Sequence, residues 1–182
     1  MNIFRLHDDP VKAAQMMCDK HVVKMVTEYG QLLSTAHRVL DGLPEKRPSK
    51  SGKRMVDHYI VDGEARENLL YKVAHKNHPS AIWCRESNEN YRWLYKHFQA
   101  TAKEYTHRYG RIHATYKKLS GLLWFSPRNI NQFSQETVMP QCMPDYCKDE
   151  LVTEGYRKYY REEKKTFAKW TNREVPQWFL ER

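Results

Sequence analysis

Between Cys18 and Arg38 the chain reads CDKHVVKMVTEYGQLLSTAHR, and two stripes of opposite character run through it at helical spacing. At about 100° per residue, Val22, Val26, Tyr29, Leu33 and, just beyond, Leu40 share one face. His21, Lys24, Glu28, Gln31, Thr35 and Arg38 gather on a neighbouring face, within roughly a third of the circumference. The apolar face must be buried, so the polar one meets either water or a site. Asp9-Pro10 supplies an N-cap with proline at the first helical position, and Gly42 followed by Pro44 supplies the stop. This punctuation predicts one long helix of about thirty residues as the scaffold of the fold.

Other segments read as helices around that scaffold. Glu64–His75 carries Leu69, Leu70 and Val73 on one side, and Asn77-His78-Pro79 interrupts it. From about Asn88 to Tyr109 the residues Tyr91, Leu94, Phe98, Ala102 and Tyr105 recur at three and four, with Gly110 at the expected end. A last helix from about Lys148 or Thr153 to Trp170 carries Tyr156, Tyr159, Tyr160 and Phe167. Residues 43–54 turn basic and rich in turn formers, which predicts an exposed loop, and 55–61 reads as a short strand or an irregular piece. Residues 124–147, with Pro127, Pro140 and Pro144, are too broken for regular structure and predict a long ordered loop. The expected fold is mainly α, a compact helical bundle in a single domain spanning residues 1–182.

Composition narrows the function classes. The 182 residues hold 31 Lys and Arg against 22 Asp and Glu, a net charge of +9. Such a surplus suits a polyanionic partner, because Lys and Arg contacts to phosphates release condensed counterions. The cations also cluster: Lys46, Arg47, Lys50, Lys53 and Arg54 lie in the 43–54 segment, and Arg157, Lys158, Arg161, Lys164, Lys165 and Lys169 crowd the last predicted helix. No window approaches the roughly 20 apolar residues of a membrane span, and MNIFRLHDDP lacks the order of a signal peptide. A soluble, intracellular protein is expected. Four cysteines, Cys18, Cys84, Cys142 and Cys147, are too few for a disulfide framework and are expected as free thiols.

Two chemistries compete for the polar stripe. Cys18-x-x-His21 has ligand spacing, and Cys142 with Cys147 would complete a four-ligand zinc site. The gap between those two cysteines is wide and contains Pro144, so small buried thiols are the preferred reading and no metal is expected. The second chemistry is acid/base or anion work, for which a His, a carboxylate, an amide and two bases in register are the parts. His78-Pro79 reads equally as a turn whose imidazole caps a helix. Five tryptophans and twelve tyrosines are expected mostly in the core, with some stacking on bases where cations interleave, as in Tyr156-Arg157-Lys158-Tyr159-Tyr160-Arg161.

Several of these stretches together resemble the pyrimidine-dimer DNA glycosylases of the phage endonuclease V type and related bacterial proteins. Asp19-Lys20-His21 followed by Glu28 is similar to that family's Asp-x-His with a glutamate seven positions later on the first long helix. Asn77-His78-Pro79 with Trp83, then Glu104-Tyr105 and Arg108-Tyr109-Gly110, resembles its His-Pro, helix, Glu, Arg-Gly-Tyr succession. Tyr156-Arg157-Lys158-Tyr159-Tyr160 looks like its aromatic-basic tail. The resemblance implies a helical enzyme without cofactor or metal that bends duplex DNA and flips a nucleotide.

By that resemblance Glu28 acts at the sugar, His21 organises it, and an amine from Met1, Lys20 or Lys24 attacks the anomeric carbon to give a Schiff base and strand cleavage. Catalytic roles are therefore expected for Glu28, His21 and Met1. Nucleic-acid contacts are expected from Lys20, Lys24, Gln31, Arg38, Lys50, Lys53, Arg54, His78, Arg85, Arg157, Lys158 and Tyr159. The expected activity is base excision from DNA by a glycosylase with possible lyase chemistry, with no membrane and no obligate protein partner. A non-catalytic nucleic-acid-binding protein, or an enzyme of modified bases or nucleotides, is the alternative.

Overall fold

The computed structural model describes residues 1–49 and 51–180, so Lys50 lies outside the described residues. The fold is mainly α, with one two-stranded ribbon. Asp9 caps α1 (Pro10–Met16) through its side chain, which accepts from the amides of Val11 and Lys12. The predicted long helix is interrupted here, because Met17 and Cys18 are extended before α2 (Asp19–Asp41) begins. The backbone groups freed by the break find partners elsewhere. Arg108 donates to Gln15 O, Trp170 Nε1 donates to Met16 O, and the Asp19 amide donates to Lys169 O.

The basic 43–54 segment is ordered more than expected. Strands β1 (Leu43–Pro48) and β2 (Met55–Ile60) pair antiparallel, Leu43 opposite Ile60 and Pro48 opposite Met55. The predicted Glu64–His75 helix ends early, as α3 (Glu64–Leu69). The chain beyond it runs extended against α2, where Arg38 donates to Tyr71 O and Leu70 O and Thr35 Oγ1 accepts from the Ala74 amide. Backbone groups claimed by α2 in this way are not free to continue a helix.

His78 caps α4 (Pro79–Glu86) by accepting from the Ser80 amide, as the turn reading of His78-Pro79 anticipates. Helix α5 (Asn88–Tyr109) has its expected bounds, closed by Gly110 at φ +68°, a left-handed conformation that suits glycine. Helix α6 (Ala114–Leu123), capped by His113, was not anticipated, since Gly121 and Ser120 blur its pattern. Residues 124–144 are irregular as expected, followed by a single 3-10 turn at Asp145–Cys147. Helix α7 (Val152–Glu163) is shorter at its C-terminal end than predicted, and α8 (Gln177–Leu180) follows.

Helices α1, α2, α4, α5 and α6 enclose a core to which α7 adds Tyr156 and Tyr160, both fully buried. Two buried histidines fix its geometry. His97 Nδ1 lies 2.8 Å from Pro10 O, which can only accept, so the ring carries its hydrogen there and Nε2 accepts from the Tyr29 hydroxyl at 3.1 Å. In His37 the order reverses: Arg66 donates to Nδ1, leaving the Nε2 hydrogen for the Tyr91 oxygen at 2.9 Å. Burial pushes both rings to about 4, so both are neutral near pH 7. No helix among the described residues is long and apolar enough to cross a membrane.

Candidate active site

The polar stripe of α2 divides into an open part and a buried part. Lys20, Lys24, Thr27, Glu28 and Gln31 reach solvent, whereas His21, Thr35 and Arg38 do not. Arg38 is 4% exposed. Its guanidinium donates to the carbonyls of Tyr59, Glu67, Leu70 and Tyr71 and to the Glu67 carboxylate. The expectation that Arg38 holds a DNA phosphate is therefore corrected: its donors already join α2 to β2, α3 and the segment after it.

His21 also departs from its expected place. Its ring stacks on Phe4 at 4.2 Å and its Nδ1 meets the Tyr160 hydroxyl. Burial, with smaller contributions from the charges of Lys164 and Lys24, lowers its pKa to about 3. A neutral, buried ring in that position braces Phe4 and α7 behind the open stripe. Asp19, its neighbour in the motif, is likewise occupied, accepting from Arg108 NH1 at 2.9 Å and from both the amide and hydroxyl of Thr171.

The open part centres on Glu28, whose side chain is 15% exposed and paired with Lys24 Nζ at 2.9 Å. Across from it the Met1 amine stands 3.4 Å from His78 Nε2, and Ser80 Oγ donates to Met1 O at 3.2 Å. Burial lowers the His78 pKa first, then the positive charge of the Met1 amine and of His75, while the nearby Glu28 carboxylate pulls the other way. The Met1 amine and the His78 imidazole thus meet although they are 77 residues apart, and the Glu28 carboxylate is near enough for its charge to act on the imidazole. Sequence reading named all three but had no means of joining Met1 to His78.

A shallow hollow of about 500 Å³ opens beside this group, lined by His78, Pro79, Cys142, Met143, Lys148 and Tyr159 among others. Cys142 and Met143 belong to the irregular segment, Lys148 follows the 3-10 turn and Tyr159 is on α7. Sequence reading missed Ser80, Met143 and Lys148 at this place, and nothing in their local pattern sets them apart. The ring of Tyr159 lies parallel to Phe4 at 6.4 Å, beneath Lys164 Nζ at 4.2 Å.

The remaining expected DNA contacts fall into two groups. Lys20 sits over the Phe167 ring at 4.5 Å and is exposed. Lys53 and Arg54 are exposed at the end of the ribbon, and Lys158 is half-buried on α7. Among the described residues none of these four has a carboxylate within 4.0 Å. Arg85, two turns after His78 on the same side of α4, has a buried NH1 without a partner among the described residues. Arg157 is different: it donates to Leu6 O and to Glu154, which makes it a tie between α7 and the N-terminal segment rather than a free cation.

Lys46 and Arg47 are neutralised by Asp57 and Glu45 on the ribbon itself. No group of three His, Cys, Asp or Glu side chains able to hold a metal occurs among the described residues, so Cys18, His21, Cys142 and Cys147 do not assemble the ligand set weighed above. All four cysteines are free, and Cys142 is the one that is not buried.

Comparison with known proteins gives one match. No curated protein and no solved structure matches the chain. The family model described as pyrimidine dimer DNA glycosylase matches residues 1–118, which include Met1, Glu28, His78 and the whole of α5. That match covers more than half of the sequence and agrees with the helical architecture, and the chain belongs to the pyrimidine dimer DNA glycosylase family.

Proposed function

We propose that the protein excises a damaged pyrimidine from duplex DNA and that Glu28 and the Met1 amine carry the reaction. The observation that supports this reading most directly is the contact of the Met1 amine with His78 within reach of the Glu28 charge. His78 Nδ1 is committed as acceptor from the Ser80 amide, so the neutral ring holds its hydrogen on Nε2, facing the Met1 nitrogen. Once the amine has lost its proton, as attack requires, the hydrogen bond uses its lone pair, the same pair that attacks carbon.

In the proposed reaction the Met1 nitrogen bonds to the anomeric carbon as the glycosidic bond breaks, and the base departs with the bonding electrons and takes up a proton. The Glu28 carboxylate faces the positive charge that develops on the sugar. Loss of the amine proton and opening of the sugar ring give a Schiff base, from which β-elimination breaks the strand. Lys24 is the competing amine, but its pairing with Glu28 suits a positioning role. Lys20, Lys24, Gln31, Lys53, Arg54, Arg85 and Lys158 would hold phosphates on either side, and Tyr159 would border the hollow that receives an extrahelical nucleotide.

Borohydride trapping on labelled duplexes carrying a thymine dimer or an abasic site tests this. An adduct mapped to Met1 is expected, with no adduct from Glu28→Gln on the dimer despite intact binding. An adduct on Lys24 would move the nucleophile. Salt-sensitive binding without excision by the wild type would make the protein a non-catalytic binder.

A further inference from the structure

The outward face of α5 carries a second feature that the proposed reaction does not use. Arg92, Lys96 and Lys103 are exposed there, with Gln99 between them and His107 at the end. At 1.5 Å per residue the row from Arg92 to His107 is about 22 Å long. None of Arg92, Lys96 and Lys103 has a carboxylate within 4.0 Å among the described residues, unlike Lys46, Arg47 and Arg128. Two carboxylates beside this face are already engaged, and a third, Glu89, is exposed one turn before Arg92. Asp9 caps α1, and Glu104 accepts from Arg108 and Arg173.

Two hollows flank the row and meet at Lys96 and Gln99. One, of about 480 Å³, lies toward α1 and Arg173. The other, of about 400 Å³, is walled by Tyr91, Tyr95, Trp124 and Phe125. Trp124 is 62% exposed and Phe125 71%, although both follow directly on α6 and could have turned inward with Leu123. Tyr95 meets Trp124 edge to face at 5.9 Å, which holds the indole beside the cations.

We infer that this face binds a single-stranded nucleic acid, with Arg92, Lys96 and Lys103 following the backbone and Trp124 and Phe125 stacking on bases. Exposed aromatic faces beside unpaired cations are the two components of such binding, and a paired duplex offers no free base faces to stack. An acidic peptide would use the cations and leave the aromatics idle. The face is separate from the Glu28 site: Tyr29 on α2 bonds His97 on α5, so Lys24 and Glu28 point away from α5 and the Arg92–Lys103 row points away from α2.

Anisotropy of a fluorescein-labelled oligothymidylate tests the inference whether or not the protein excises bases. Trp124→Ala is expected to weaken binding about tenfold. Lys96→Ala with Lys103→Ala is expected to weaken it and to make the slope of log K against log salt shallower by about 1.4. Lys46→Ala, on the ribbon where the lysine pairs with Asp57, should leave this affinity unchanged, and circular dichroism melting checks that each variant folds. Weakening by Lys24→Ala but not by the α5 variants would overturn the inference. So would displacement of the oligonucleotide by polyglutamate with no effect of Trp124→Ala, which would assign the face to an acidic protein.

Discussion

Arg108 NH1 lies 2.9 Å from Asp19 Oδ1, joining the last turn of α5 to the first turn of α2, and its Nε donates to Glu104 at 2.7 Å. The Arg108 side chain is fully buried, and Glu104 is shared with Arg173. The aspartate of the Asp-x-His motif therefore works on architecture: with Thr171 it fastens the C-terminal segment over the break between α1 and α2. Removing one member of a buried charge network leaves the others unpaired, which costs about 3–5 kcal/mol. Arg108→Ala should lower the urea-unfolding free energy by that amount. A loss under about 1 kcal/mol would mean that the network is well solvated.

Arg38 and Lys24 share a stripe in sequence but should behave oppositely. Arg38→Ala strips four carbonyls and Glu67 of their donor and is expected to cost about 3–5 kcal/mol of stability. Arg38→Lys should not restore it, because an ammonium cannot span that fork of acceptors. Lys24→Ala should leave the melting temperature nearly unchanged and flatten the salt dependence of duplex binding by about 0.9 per lost phosphate contact. Titrations at several salt concentrations separate the two, and equal effects of both variants on the salt slope would contradict the assignment of Arg38.

Much of this arrangement was legible in the sequence, for identifiable reasons. The bounds of α5 were readable because its apolar repeat is uninterrupted and Gly110 ends it. Glu28 and His78 stood out since the spacing of each motif is local. The break after Met16 was not readable, because its freed backbone groups are satisfied by Arg108, Lys169 and Trp170, all far away in sequence. Burial of His21 and Arg38 was hidden for the same reason: α7 and the segment after α3 cover part of a stripe that looks continuous on a helical wheel. Met143 and Lys148 reach the site only through the path of the chain between α6 and α7, which no periodicity encodes, and Ser80 joins it through Met1 O, far away in sequence.

Trapping by the Met1 amine should depend on pH through His78. Its pKa is lowered by burial and by the adjacent amine, so its titration falls below the ordinary histidine value near 6.5. Above that range the ring is neutral and Nδ1 accepts from the Ser80 amide; below it a proton on Nδ1 displaces that bond, and the added positive charge beside the amine opposes a cationic transition state. The rate of adduct formation on an abasic duplex should therefore fall with acid along a limb set below 6.5. In His78→Asn that limb should disappear while duplex affinity at pH 7.5 is retained. A limb unchanged by the substitution would assign the titration to another group.

Acid should also weaken the fold well before the carboxylates protonate. His21 titrates at about 3 and His37 and His97 at about 4, all because burial disfavours the charged ring. In the unfolded chain these rings take up protons near 6.5. Above that value both states are neutral and the rings contribute no pH dependence. Between about 6.5 and 4 the unfolded state binds protons that the folded state refuses, so stability falls as pH falls. At pH 5 this amounts to about 2 kcal/mol for each ring, an upper value that local opening reduces. Urea unfolding from pH 7.5 to 4.5 should show a steady loss beginning near 6.5, and replacing His97 with glutamine should shallow the slope even if the variant is less stable at pH 7.5. A flat profile down to pH 5 would require the buried rings to be solvated or already charged in the folded protein, at odds with their burial and with the neutral ring that the Arg66 donor imposes on His37.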